Sequence, residues 1–328
     1  HSLSLSTYTM VNFTHVSEFV LLGFQGGPGM QAMLFLIFLI LYGIAVVGNL
    51  GMIVIIWVDA HLHTPMYAFL QSLSLLDICY SSTIAPRALA NSMQEDHTIS
   101  FGGCAAQFFF LSLFGITEAF LLAAMAYDRV VAISNPLRYS VVMNGPVCVC
   151  LVATSWGTSL VLTAMLILSL RLHFCGANVI NHFACEILSL IKLTCSDTSL
   201  NEFMILITSI FTLLLPFGFV LLSYIRIAMA IIRIRSLQGR LKAFTTCGSH
   251  LTVVTIFYGS AISMYMKTQS KSSPDQDKFI SVFYGALTPM LNPLIYSLRN
   301  AEVKGALRRA LRKKSIHSVQ CEGDSASP

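Results

Sequence analysis

Met125-Ala-Tyr-Asp-Arg-Val-Val-Ala-Ile-Ser134 sets two adjacent ionic residues, Asp128 and Arg129, directly behind the apolar run Phe108–Tyr127. Adjacent charges in hydrocarbon are costly unless they pair or reach water. Their place is therefore the boundary between an apolar slab and water. Two readings follow. The pair anchors a helix end by snorkelling, or its arginine exchanges partners as part of a switch.

The rest of the chain supplies the slab. Hydrophobic residues make up 55% of it and charged residues 11%, with a mean hydropathy of +0.73. Soluble domains carry about a quarter charged residues, so an integral all-α membrane protein is expected. A spanning helix needs about 20 apolar residues. Seven stretches qualify: Met33–Trp57, Pro65–Ala88, Cys104–Ile133, Val147–Leu170, Glu202–Ile232, Ala243–Met266 and Phe279–Leu298. The second, third and seventh are interrupted by polar residues and are expected to face protein rather than lipid. The pattern predicts a seven-transmembrane helix bundle over 33–298, between an extracellular segment 1–32 and a cytoplasmic segment 299–328. Residues 1–9 lack the basic flank and apolar core of a signal peptide, so the first span reads as the targeting signal. Met10 reads as the start of a shorter form.

Orientation follows from the positive-inside rule. With the N-terminus outside, 14 of the 20 Lys and Arg residues fall on the cytoplasmic side, Asp128–Arg129 among them, and six fall outside. Asn300–Lys314 reads as a short basic amphipathic helix after the seventh span, lying on anionic membrane lipid. The net charge of +5 is no nucleic-acid signal, because the basic residues flank apolar blocks.

Several residues carry chemistry. Asn12-Phe-Thr14 is a glycosylation sequon in a segment placed outside. Cys104, Cys175, Cys185 and Cys195 fall in outer regions, where an even count suggests two disulfides with three possible pairings. Cys79, Cys148, Cys150 and Cys247 read as thiols. His182-Phe-Ala-Cys-Glu186 has metal-ligand residue types, but a disulfide-bonded Cys185 is a poor ligand, so no metal or other cofactor is expected. Asp77 and Glu118 are carboxylates within spans. With Asn49 and Asn292 as polar neighbours they form either a sodium or proton site or a static polar network. Asn292-Pro-Leu-Ile-Tyr296 places a proline where it loosens the helix ladder. Tyr224 ends the fifth span nearby, so Asn292, Pro293, Tyr296 and Tyr224 make a reasonable hinge beside Arg129. No nucleophile or zinc-protease motif points to an enzyme.

These motifs together resemble a known family. Met125–Ser134 resembles the Asp-Arg-Tyr region of rhodopsin-like G-protein-coupled receptors, and Asn292–Tyr296 matches their Asn-Pro-x-x-Tyr motif. Gly48-Asn49, Leu62-His-Thr-Pro-Met-Tyr67, Ser74-Leu-Leu-Asp77, Lys242-Ala-Phe-Thr-Thr-Cys-Gly-Ser-His250 and Pro289-Met-Leu-Asn-Pro-Leu-Ile-Tyr-Ser-Leu-Arg-Asn300 are similar, in order, to signatures of tetrapod-type olfactory receptors. Departures exist. Val130 stands where the family has Tyr, Ser134 where it has Cys, Ser140 in place of a common proline, and Ala68 in place of an aromatic. Met266–Gln269 lacks a common proline.

The resemblance implies bonds between Cys104 and Cys185 and between Cys175 and Cys195. It implies a ligand cavity in the outer halves of the third, fifth and sixth helices. Carried over by position, its lining is Leu111, Ser112, Gly115 and Ile116; Ile205, Thr208, Ser209 and Thr212; Tyr258, Ile262 and Tyr265. Leu111 stands where amine receptors carry Asp, so a small, neutral, mostly hydrophobic odorant is implied. The implied switch is Arg129 leaving Asp128 for a heterotrimeric stimulatory G protein, which raises cyclic AMP. The implied location is the plasma membrane of olfactory sensory cilia. The alternatives on the same fold are a rhodopsin-like receptor for a non-odorant ligand and a family member that folds without signalling.

Overall fold

The computed structural model describes residues 16–94, 96–170, 172–174, 178–195, 197–266, 274–299 and 302–309, the side chains at 242, 246, 274, 275, 298 and 299 excepted. Asn12 and Cys175 lie outside the described residues. Seven long helices run through them: α1 (Pro28–Val58), α2 (Pro65–Met93), α3 (Phe101–Ser134), α4 (Gly145–Ser169), α5 (Ser199–Arg233), α6 (Leu237–Tyr265) and α7. The last is built of Pro274–Val282, Phe283–Leu287 and Thr288–Arg299 in succession. Local chemistry sets their starts. Pro28 and Pro65 occupy first-turn positions where no N–H is needed. Ser100, Asn144 and Ser236 accept from the N–H groups of Gly103, Val147 and Gly239 at 3.1, 3.0 and 3.3 Å.

The helices sit where the apolar runs lie, but most extend further. The Ser236 cap starts α6 at Leu237 rather than Ala243, and α2 continues through Pro86 to Met93 rather than ending at Ala88. Among the described residues, five stretches are long and apolar enough to cross a membrane: Pro28–Val58, Phe101–Ser134, Gly145–Ser169, Ser199–Arg233 and Gln276–Ser297. The expectation of seven apolar spans is thus met by five, because polar residues such as Gln71, Asp77 and Arg87 on α2, and Arg240, Thr245 and His250 on α6, dilute those two helices. Helix α3 is the axis of the bundle: 78% of its most apolar window is buried, against 11% for α1.

Two wide π turns interrupt the helices, Ile210–Leu214 in α5 and Phe283–Leu287 in α7. A third irregularity is the proline within α7. Pro293 has no N–H to give the Pro289 carbonyl one turn earlier. Asn49 on α1 donates to that carbonyl instead, at 2.9 Å. A Cβ on the neighbouring Gly48 would meet the Pro293 ring at 3.0 Å, so glycine lets α1 close on α7 at this point.

The bundle end opposite Asp128, called outer here, carries a small sheet that corrects the purely helical expectation. Strands β1 (Glu18–Leu21), β2 (Thr98–Ser100) and β3 (Val179–Ile180) lie in the order β2-β1-β3. The register pairs Phe19 with Ile99 antiparallel and Val20 with Val179 in parallel. Phe19, Leu21 and Ile180 are buried on one cluster with Cys104, Cys185 and Leu190. A disulfide joins Cys104 to Cys185 and ties this cap to α3. Cys195 is disulfide-bonded as well.

At the inner end, residues 302–309 are helical and bury Val303 and Ala306 in the main core. Two polar ties hold them. The Tyr67 hydroxyl donates to Glu302 at 2.8 Å, and Arg309 donates twice to one Asp59 oxygen at 2.9 and 2.7 Å. Those bonds, with a further one from His61, hold the Asp59 carboxyl down at about 2.

Candidate functional site

A small cavity, with about 70 Å³ open to the centre of a water-sized sphere, lies in the outer half of the bundle. Leu111, Ser112, Gly115 and Ile116 from α3 line it, because i, i+1, i+4 and i+5 share one helix face. Ile205, Thr208, Ser209 and Thr212 from α5, and Tyr265 from α6, face them. These are nine of the eleven residues that the sequence places there. Tyr258 and Ile262 do not line the cavity. Tyr258 lies deeper, its hydroxyl donating to the Ala119 carbonyl of α3 at 2.8 Å, and Ile262 packs on the main core. Four further residues complete the wall: Leu166 of α4, Ile187 after β3, Leu213 and Tyr284. Leu213 and Tyr284 both sit on the π turns. A regular helical count does not anticipate either position.

The roof over this cavity contains His182, part of the segment with metal-ligand residue types. This histidine is buried. Its Nδ1 lies 3.1 Å from both the Ala184 N–H and the Ala184 carbonyl oxygen, and its Nε2 shares a hydrogen bond with Ser281 Oγ at 3.1 Å. The Ser281 hydroxyl in turn donates to Glu186 at 3.3 Å. Burial holds the imidazole down at about 4 and pushes the Glu186 carboxyl up to about 8. Both are therefore neutral at pH 7. Gln107 of α3 accepts from the Cys185 N–H at 2.9 Å and fixes the loop beside the disulfide. Since the Cys185 sulfur is spent on Cys104, it adds no thiolate to His182 and Glu186.

Below the cavity, the buried carboxylates meet the seventh helix. Asn292 donates to both oxygens of Asp77, at 3.1 and 3.0 Å. Glu118 is buried on α3 with its Oε1 unpartnered, and Asn49 Oδ1 is unpartnered as well.

At the inner end, Asp128 and Arg129 are both buried, but among the described residues no ion pair joins them. The expected resting pair is absent for a steric and polar reason. Asp128 accepts from the Tyr139 hydroxyl at 2.8 Å, while the Arg129 guanidinium lies against the Met66 sulfur with its Nε unpartnered. Tyr224 does not reach Arg129 here. Its hydroxyl donates to His250 Nδ1 at 2.7 Å, and His250 Nε2 donates to the Leu122 carbonyl at 3.1 Å. A carbonyl only accepts, which assigns the ring proton to Nε2. His250 thereby joins α5, α6 and α3 in one chain of hydrogen bonds. It closes the Lys242–His250 signature quoted above, where its function was not legible from sequence. The Tyr296 hydroxyl is buried and unpartnered.

The fold and the whole chain both have known counterparts. The crystal structure of squid rhodopsin superposes with a TM-score of 0.69 at 17% identity, covering 88% of this chain and 87% of that one, so the two share a fold. Human "Olfactory receptor 13H1" is 72% identical over 306 residues, covering 93% of this chain and 99% of that protein. Human "Olfactory receptor OR9H1" is 67% identical over 309 residues, covering 94% and 100%. Mouse "Olfactory receptor 5AP2" is 51% identical over 304 residues, covering 92% and 95%. The family model described as olfactory receptor matches residues 38–314. This chain belongs to the olfactory receptor family.

Proposed function

We propose that the protein is an odorant receptor of the plasma membrane, with residues 33–298 as the receptor domain, 1–32 outside and 299–328 in the cytoplasm. It is a signalling receptor and not an enzyme. The observation that carries this reading is the small, apolar, hydroxyl-studded cavity of about 70 Å³ in a chain of this family. Among the described residues its wall carries no charged side chain, which suits a small, neutral, mostly hydrophobic volatile. Leu111, Ser112, Gly115, Ile116, Ile205, Thr208, Ser209, Thr212 and Tyr265 are the proposed contacts. Tyr258 and Ile262 act from behind this wall.

Odorant binding shifts the population toward a state in which the inner end of α6 swings outward. The Tyr224–His250–Leu122 chain opens, and Tyr224 becomes free to meet Arg129. Tyr296, whose hydroxyl is unpartnered, and the Asn292–Pro293 segment take part in the same rearrangement. Arg129 then turns from Met66 toward a stimulatory G protein of the olfactory type, which raises cyclic AMP. The unpartnered Glu118 and Asn49 oxygens beside the Asp77–Asn292 pair favour a sodium ion or a shared proton at that level. Cys175–Cys195 pairing, glycosylation at Asn12, a lipid-facing 302–309 helix and a ciliary address complete the proposal. The test is a cyclic AMP reporter in cells presented with a diverse odorant panel. Wild type responds, and Arg129→Ala gives no response at equal surface expression. A normal response in that variant sinks the assignment of Arg129.

A further inference from the structure

We infer that Tyr284 donates the hydrogen bond that selects the odorant, and that the absent side chain at Gly115 gives its phenol the necessary reach. The inference rests on the odorant-receptor reading and adds the chemical class of ligand.

The hydroxyls around the cavity are not equivalent. Thr212 donates to the Thr208 carbonyl one turn earlier, at 2.8 Å. Any helical Ser or Thr has such a carbonyl in reach and can satisfy itself there. A phenol cannot fold back onto its own backbone, so a buried tyrosine needs an external partner. Tyr258 has found one in Ala119. Tyr265 is partly exposed at the outer rim. The Tyr284 hydroxyl is different. It belongs to a buried residue on the cavity wall and is paired with the Tyr80 hydroxyl rather than with a backbone carbonyl, and accepting from Tyr80 leaves its own proton for a ligand.

Its ring is nevertheless fixed. Tyr80 packs edge-on at 5.7 Å between centroids and Phe257 lies tilted at 5.6 Å. The hydroxyl crosses to α3, into the space that a Cβ on Gly115 would occupy; the two would collide. The π turn that carries Tyr284 is itself braced, since the Thr288 hydroxyl donates to the Phe283 carbonyl at 3.1 Å. Such wide turns sacrifice helical regularity and concentrate at functional sites. A held donor facing an apolar cavity suits a neutral volatile with an acceptor oxygen, such as a ketone or ester. A hydrocarbon of the same skeleton leaves that donor unpaired.

The test uses full-length receptor in the cyclic AMP reporter, with volatile ketones and esters each matched to the hydrocarbon of the same skeleton. In wild type the oxygenated member of a matched pair is expected to be about tenfold more potent, the worth of one well-placed hydrogen bond. Tyr284→Phe, which keeps the ring, removes that preference at equal surface expression. Gly115→Ala removes it as well, by displacing the phenol. The double variant loses no more than either single one, because both act through one contact. Wild-type potencies in Tyr284→Phe overturn the inference while leaving the receptor reading intact. Wild-type potencies in Gly115→Ala overturn its Gly115 half. A wild type silent to every compound takes both readings down together.

Discussion

The two ends of the bundle are held in opposite ways. The outer end is fastened by what does not exchange: a disulfide from Cys104 to Cys185, a sheet threaded through three segments, and aromatic stacking of Phe24 on Phe183. Within that fixed frame sits the cavity, with the Tyr284 hydroxyl on its wall. The inner end has its own fixed tie, Arg309 to Asp59, but around Arg129 it is held by single hydrogen bonds between side chains, Tyr139 to Asp128 and Tyr224 to His250. The difference suits a molecule in which a small ligand is held by a rigid outer half while the inner half changes partners. Rigidity sits where selectivity is needed, and exchangeable bonds sit where motion is needed.

That contrast can be broken by substitution. The largest effect is expected from Arg129→Ala, which abolishes the cyclic AMP response without lowering surface protein. Cys104→Ser comes next. Losing such a crosslink costs about 2–5 kcal/mol in small outer domains, and the expected result is loss of surface receptor, read by labelling intact cells. Inner-end variants such as Tyr139→Phe should leave surface levels near wild type, and a comparable loss there would erase the contrast. Asn49→Leu is intermediate. It strands the Pro289 carbonyl that Pro293 cannot serve, at about 1–3 kcal/mol, and a lowered thermal midpoint in detergent is the readout.

The smallest effect concerns pH at the roof. Glu186 is raised from 4.5 to about 8, so an exposed loop ionises first and the roof loses stability as pH climbs between those values. His182 is lowered from 6.5 to about 4, so its contribution is lost only as pH falls below 6.5. Between pH 6.5 and 8, Glu186 alone therefore sets the slope. Amide exchange over 179–191, corrected for its intrinsic pH dependence, is expected to quicken across that window and to stay flat in Glu186→Gln.

Much of this architecture is legible in the sequence because hydrocarbon imposes long apolar runs, and helical spacing then gathers residues such as Leu111, Gly115 and Ile116 onto one face. What escapes has local causes. The strands are too short, at two to four residues, to show a period. The π turns of α5 and α7 break the regular count, so Leu213 and Tyr284 go unanticipated. Tyr258 lies two helical turns below Tyr265 and reaches α3 instead of the cavity. The Asp128–Arg129 pair fails for a different reason. Neighbours in sequence on a helix point in different directions, and each finds a partner from another segment.

The strand order of the outer sheet also governs the order of manufacture. β1 is the central strand and the earliest made, yet one of its edges waits for β3. Asn178, which donates to the Glu18 carbonyl, emerges 160 residues later. Four helices must be synthesised before that edge is covered. A nascent receptor therefore carries an open strand at its N-terminal end through about half of its synthesis, a template for wrong pairing between neighbouring chains. A tag or chaperone that shields residues 18–21 until β3 arrives is expected to raise the yield of folded receptor, and one that remains bound is expected to lower it.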